Sequence, residues 1–439
     1  MPTTLARFLD QANRFVSPRT GLVLTVVDRC LEHGDAQIHM ARTETATTSR
    51  YGLPVDAPNR NGGAGLTRDA ARASAIGETI ERYACSVYDE EAFLLSGHAS
   101  LPGRGVEPAL LRYYSPAQYA SPGFPFSPLS ETTPIRWRQA VSLRSGEPVW
   151  YPAGLTHVPY VWHEVETPFA PSLTTGMALG ATPLEAALTG LCEVVERDAF
   201  MITWWNRLSG REITVDPSSP LGQIMAEHFT VPGLSFRLFD ITTDAGLPVV
   251  LCVALEERNT GCSLTVGAAC RPDPTQAALK ALIEAAKGRN TQRLVAHLSG
   301  PLQVGGWDEI RSLDDHARLY ARHDMRPALN FLLETERRVE LAALPSLETG
   351  DPAATLRRSL DAVGATGLEP LAMDLTPADV AEAGLAAVKV AIPGMVELNP
   401  WHSLRCFGSR RLYDAPVRMG YRHTPLAEQE LNPFPHPFP

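Results

Sequence analysis

Two strings of one form, Glu78-Thr79-Ile80-Glu81-Arg82 and Glu193-Val194-Val195-Glu196-Arg197, set carboxylates three residues apart with a guanidinium beside the second. On a helix this spacing brings two acidic side chains to neighbouring positions of one face, where like charges destabilise each other and something must compensate. Water and the adjacent arginine can do so, which leaves a solvated helix face. A hard divalent cation such as Mg²⁺ can do so as well, because it takes oxygen ligands and is usually held by a few carboxylates together with substrate phosphates. If the two acidic faces converge, Arg82 and Arg197 supply forked donors to phosphate oxygens, and the set reads as a nucleotide site. The chain contains no G-x-x-x-x-G-K-[ST] string, which argues against a Walker-type ATPase.

Three helical stretches are expected to position these groups. The first, about Thr67–Tyr88, follows the glycine-rich Asn61-Gly62-Gly63-Ala64-Gly65 and a plausible cap at Thr67; Ile76, Ile80 and Tyr83 share one side, and Ser74, Glu78, Glu81 and Arg82 another. The second, about Thr182–Trp204, repeats the design, with Leu184, Leu188, Leu191 and Val195 as the apolar stripe and Glu185, Glu193, Glu196 and Arg197 as the polar one. The third, about Thr275–Gln292, contributes Glu284 and Arg289. Alanines at 70, 71, 73 and 75, and again at 186 and 187, permit close approach of a helix or a ligand. Apolar runs at Val249–Leu255 and Ala386–Ile392 read as strands, giving mixed α and β structure. Prolines at 116, 122, 125, 128 and 134 exclude long regular elements from Tyr114–Pro134.

The 439 residues are 44% hydrophobic and carry a formal charge of −10, so the chain can bury a large core and has no global basic field for nucleic acid or an anionic membrane. Seven cysteines without a Cys-x-x-Cys pair signal neither a disulfide framework nor a zinc site, and Cys192 reads as a small buried hydrophobe. His402 and His423 read as core or surface histidines. Residues 1–16 lack the apolar region of a secretory signal, and no apolar stretch is long enough to cross a bilayer, so a cytoplasmic setting is expected.

At these residues the sequence resembles the YcaO family of ATP-dependent peptide-modifying enzymes. The likeness runs through Gly63-Ala64-Gly65-Leu66-Thr67 to Ser74–Tyr83, then Gly176-Met177-Ala178-Leu179-Gly180 to Glu185-Ala186 and Gly190–Asp198, then Ala281–Arg289, in order over roughly residues 60–410. It implies an α+β fold with mixed and antiparallel sheets and helices carrying the nucleotide site. It further implies Glu78, Glu81, Glu193 and Glu196 as Mg²⁺ ligands, Ser74, Arg82, Arg197 and Arg289 as phosphate contacts, and Glu185 as a nucleotide-site residue. Relatives often carry Lys near the glycines, where the nearest cation here is Arg68, and Gln where Lys287 stands. The implied organisation is an N-terminal segment 1–60, an ATP-binding core 61–410 and a C-terminal segment 411–439.

The chain ends Asn432-Pro433-Phe434-Pro435-His436-Pro437-Phe438-Pro439, a pattern that predicts a stiff polyproline II rod in place of a helix or central strand. Alone it reads as an exposed tail or a ligand for an aromatic groove. Similarity to azoline-forming YcaO members makes Pro439 and Pro437 catalytic candidates. The resemblance implies ATP-dependent cyclodehydration of Cys, Ser or Thr in a precursor peptide. It also implies a partner in trans resembling ThiF or ubiquitin-activating enzymes, since residues 1–60 are too few for a fused one, and a homodimer. A thioamide-forming YcaO member and a non-catalytic scaffold stay open beside it, as does a two-metal hydrolase, although the helices lack the histidines that often accompany one.

Overall fold

The computed structural model describes residues 4–47, 49, 60–258, 262–300 and 302–438, which separate into two compact units. The first comprises residues 1–29, 39–194 and 352–395; the second comprises 30–38, 195–351 and 396–439. No helix among the described residues is long and apolar enough to cross a membrane.

In the first unit, β1 (Val23–Arg29), β2 (His39–Thr45) and β3 (Arg60–Gly65) form an antiparallel sheet, flanked by α1 (Thr4–Asn13) and α2 (Arg68–Ser86). A second, all-antiparallel sheet runs β4 (Leu94–Ser96), β5 (Ile135–Ser142), β13 (Leu371–Asp374), β14 (Ala386–Ala391), β7 (Met177–Gly180), with β6 (Pro148–Pro152) on the other edge of β5. The short helices α3 (Pro116–Tyr119) and α10 (Ala378–Glu382), and the longer α9 (Pro352–Gly364), complete this unit. Trp137, Ile135 and Met373 anchor the core of the large sheet.

The second unit holds a mixed sheet ordered β11 (Leu264–Cys270), β10 (Val249–Glu256), β9 (Leu234–Asp240), β8 (Arg211–Thr214), β12 (Arg338–Glu340), parallel between β12 and β8 and antiparallel elsewhere. Strands β10 and β11 are buried almost throughout, as their apolar runs require, and α6 (Pro274–Ser299) packs on them. Around them lie α5 (Pro220–His228), α7 (Leu313–Tyr320), α8 (Asn330–Leu333) and α11 (Arg411–Arg418). Helix α4 (Pro183–Asn206) passes from one unit into the other at Val194/Val195. The architecture is α+β, as expected.

Local chemistry explains the key elements. The Thr67 hydroxyl accepts the Ala70 N–H at 3.2 Å, and Asp69 sits in the first turn of α2, where the helix dipole favours it. Ile76 and Ile80 are fully buried, each contributing about 1.5–3 kcal/mol. The glycines before α2 form strand β3, which packs against the helix: a Cβ on Gly63 would fall inside the contact shell of the Ala71 carbonyl and the Ala75 amide. The small residues of β3 and α2 thus serve a strand–helix approach. Helix α6, capped by Asp273, extends past Gln292 because that side chain is buried and donates to the carbonyls of Leu264 (3.0 Å) and Ala317 (2.7 Å).

The proline-rich tail contains neither helix nor strand over residues 431–438, but it is not an exposed rod: Leu431, Asn432 and His436 are buried. Asn432 donates its backbone N–H to the Trp205 carbonyl at 2.8 Å and its side-chain amide to that of Trp204 at 3.2 Å, and since proline offers no N–H, the residues beyond are fastened largely through their carbonyls. Trp204 Nε1–H donates to the Phe434 carbonyl at 3.1 Å, the Tyr320 hydroxyl to that of Pro435 at 2.6 Å, and His316 Nδ1 lies 2.6 Å from that of His436.

Candidate functional site

In the first unit, α2 carries Ser74, Glu78, Glu81 and Arg82 on successive turns, and the first part of α4 carries Glu185 and Glu193. Each outer carboxylate is held by backbone. Glu78 Oε2 accepts the Gly62 N–H at 3.2 Å, while Oε1 meets Arg82 Nη2 at 3.5 Å. Glu193 Oε2 accepts the Gly176 N–H at 3.1 Å, and Gly176, at φ 83°, packs so closely on β14 that no side chain would fit. Ser74 is half-buried one turn before Glu78.

Glu81 shows what this arrangement costs. Burial pushes its pKa up to about 8, and Glu193 and Glu78 push the same way against the opposing charges of Arg82 and Lys389. The three carboxylates therefore share one electrostatic neighbourhood in which one must keep its proton. Arg82 is drawn the other way: burial disfavours its charge, but Glu81, Glu78 and Glu193 together hold it above the ordinary arginine value. Lys389, 4% exposed in the otherwise apolar β14, donates to the Leu173 carbonyl at 2.7 Å and adds its positive field. Sequence reasoning passed over it, although a lysine inside an apolar strand was a usable signal. Glu185 closes the start of α4: its Oε2 accepts the Ala181 N–H at 3.1 Å and its own N–H meets Thr182 Oγ1 at 3.2 Å.

In the second unit, Glu196 is buried and accepts the Cys270 N–H at 3.2 Å, with Arg197 Nη1 at 3.1 Å. The Arg197 guanidinium lies over the Phe438 ring, 4.2 Å from its centroid, and Phe438 stands edge-on to Phe200 at 5.0 Å. The tail therefore reaches a predicted phosphate-contact residue; Pro437 is buried behind it, and Pro439 lies outside the described residues. Arg289 is 2% exposed and pairs with Asp35 and Glu256, so its charge is met twice within this unit. Glu284 is held well below the usual carboxylate range: burial would raise it, but Lys280 and Lys287 prevail. Asp198 closes the second motif without an assigned role in sequence. It is fully buried, takes Nε and Nη2 of Arg411 at 2.8 Å each, and accepts the Val396 N–H at 2.9 Å. Cys192 and His402 are both buried.

The donor chemistry of the first unit fits a hard cation. Glu78, Glu81 and Glu193 are oxygen donors in mutual repulsion, and two of them are steered by backbone N–H groups.

Comparison with known proteins gives a consistent result. A family model described as YcaO cyclodehydratase, ATP- and Mg²⁺-binding, matches residues 62–396. An uncharacterized protein in the tfuA 3′ region of Rhizobium leguminosarum bv. trifolii is 30% identical over 285 residues, 60% of this chain and 61% of that one. A solved heterocyclase in complex with substrate and cofactor superposes with a TM-score of 0.79 at 25% identity, covering 99% of this chain and 57% of its own. YcaO from Methanopyrus kandleri, bound with AMPPCP and Mg²⁺, gives a TM-score of 0.60 at 24% identity, covering 85% of this chain and 86% of its own. The chain thus spans somewhat over half the length of that heterocyclase and of the Rhizobium protein.

Proposed function

We propose, from the premise that this chain belongs to the YcaO family, that it is an ATP-dependent enzyme closing Cys, Ser or Thr side chains of a precursor peptide onto the preceding backbone amide as azolines. The observation that carries this reading is the setting of Glu81, which burial, with Glu193 and Glu78 pushing the same way, raises to about 8, so that its ionised form calls for a cation. In this reading those three carboxylates, with Glu196 one turn further along α4, hold Mg²⁺. The bound metal would supply charge neutralisation at the phosphates during phosphoryl transfer.

The chain's own groups account for the rest. Arg82 and Arg197 offer planar N–H donors to phosphate oxygens, and the Ser74 hydroxyl donates from the preceding turn of α2. Glu185 holds the α4 start in place beside the nucleotide. Arg289, already matched by Asp35 and Glu256, is assigned to bracing α6. The side-chain sulfur or oxygen of the substrate loses its proton and adds to the amide carbon, the former carbonyl oxygen takes the γ-phosphoryl group of ATP and releases ADP, and the C–O bond breaks as the nitrogen loses its proton, forming the C=N bond of the ring and releasing phosphate. The two displaced protons need a base near the reacting atoms. Phe438 on Arg197 brings the tail to a residue assigned in this reading to the phosphates, and on that basis Pro439 and Pro437 of the tail are assigned to assisting this proton transfer. The function further calls for a ThiF-like partner presenting the peptide, and for a homodimer.

The test incubates the chain and its partner with ATP, Mg²⁺ and a Cys-containing precursor. Loss of one water per ring with matching ADP supports the reading. Water loss without ATP turnover overturns the activation step, and sulfur gained in place of oxygen reassigns the product to thioamide.

A further inference from the structure

The first unit contains a cavity of about 730 Å³ that the reading above does not use. It opens where the sheet is incomplete. Strand β6 pairs along β5 from Trp137 to Val141, but on the other edge β4 stops at Trp137 and β13 begins only at Val141. Arg138, Gln139 and Ala140 thus have no ladder partner on that edge among the described residues: β13 stays paired to β14 as far as Asp374 but leaves β5 after Ala372, and Asp374, with Leu375–Pro377 just past β13, lines the cavity beside them.

Arg138 stands in its wall, and its hydrogen-bond partners are neutral. Nη1 donates to His157 Nε2 at 2.8 Å, Nη2 to the Asp374 carbonyl at 3.1 Å, and Nε has no acceptor among the described residues. Since Nε2 accepts, His157 carries its proton on Nδ1 and donates to the Cys85 carbonyl at 3.1 Å. Burial and the neighbouring Arg138 push His157 down to about 3, so it is a neutral partner. Arg136, Arg237 and Arg411, by contrast, meet the carboxylates of Glu166, Glu212 and Asp198. Arg138 has no such ion pair among the described residues; Asp374 is exposed at the rim, its Oδ1 occupied by the Thr376 N–H at 2.9 Å. Asp374 opposes the burial of Arg138 only from outside ion-pair distance, and a part-buried guanidinium so placed gains most from an anion delivered by a ligand. Tyr88, Phe93 and Trp150 supply aromatic walls, and Asp89, exposed like Asp374, completes the polar lining.

We propose that this cavity docks an extended peptide segment whose carboxylate side chain enters to meet Arg138 while its backbone lies along the open edge of β5. A strand edge supplies main-chain hydrogen bonding, aromatic walls take apolar flanking residues, and a lone arginine fork selects one planar carboxylate. Peptide recognition here is independent of ATP and is read without nucleotide.

The test uses a dye-labelled peptide with one glutamate among valines and threonines, its glutamine twin, and free glutarate, followed by fluorescence anisotropy. Wild-type protein should bind the glutamate peptide, with the twin and glutarate each weaker by roughly tenfold to a hundredfold. Arg138→Gln should abolish the preference, and Arg138→Lys should restore part of it. Asp374→Asn, a rim substitution that retains its acceptor, should tighten the glutamate peptide several-fold and keeps the proposal testable if Arg138→Gln does not fold. Equal binding of both peptides, a preference unmoved by these substitutions, or no binding by the wild type overturns it.

Discussion

Glu81→Gln should stabilise the metal-free protein while removing its response to MgATP. In the folded chain Glu81 keeps its proton to about pH 8, whereas its ordinary value is 4.5. Because the folded state binds the extra proton between these values, the contribution of Glu81 to stability is full below about pH 4.5 and is lost as pH rises to about 8. Near neutrality this amounts to about 2–3 kcal/mol after allowing for solvent at a half-buried side chain. Glutamine has the shape of the protonated acid without the titration, so Glu81→Gln should recover that energy. For a unit of roughly this size it corresponds to a rise of about 4–8 °C in the melting midpoint in EDTA near pH 7.5. Adding MgATP should reverse the order, raising the wild type and leaving the variant nearly unchanged. Scanning calorimetry of both proteins under both conditions reads the four midpoints. A lower midpoint for the variant in EDTA, or an equal gain from MgATP in both, would refute the reasoning.

Arg411→Met should destabilise by about 3–5 kcal/mol in urea unfolding, since it strands the fully buried Asp198; a change below about 1 kcal/mol would contradict a buried ion pair at this position. Gly63→Ala should cost roughly 1–3 kcal/mol through collision with the α2 backbone, and an unchanged melting curve would contradict the close packing of β3 on α2. Deleting Phe438-Pro439 should lower ring formation roughly tenfold or more while leaving cooperative melting, whereas undiminished ring formation would reduce the tail to a strap.

How much of this was legible depended on range. Helices α2 and α4 were readable because apolar stripes and capping residues are local signals, and α6 was readable as far as its alanine-rich face extends. Strand β3 was not, because Asn61–Gly65 has the composition of a loop and becomes a strand only through pairing with β2 and the proximity of α2. The pairing of Arg289 with Asp35 spans 254 positions, a distance at which spacing carries no information. The tail's composition correctly excluded helix and strand, but its burial depends on Trp204, Tyr320 and His316, whose donors no pattern links to a run of prolines. The acidic strings were the most informative: their repetition pointed to shared chemistry, and the raised Glu81 is its physical counterpart.

The central claim is that ATP activates the backbone amide oxygen of a peptide held by this chain. It is tested most directly by labelling that oxygen with a heavy isotope in a Cys-containing precursor and following the label through turnover by mass spectrometry. The account predicts that the label leaves in inorganic phosphate, one atom per ring formed. Recovery of the label in free water, with unlabelled phosphate, would contradict it.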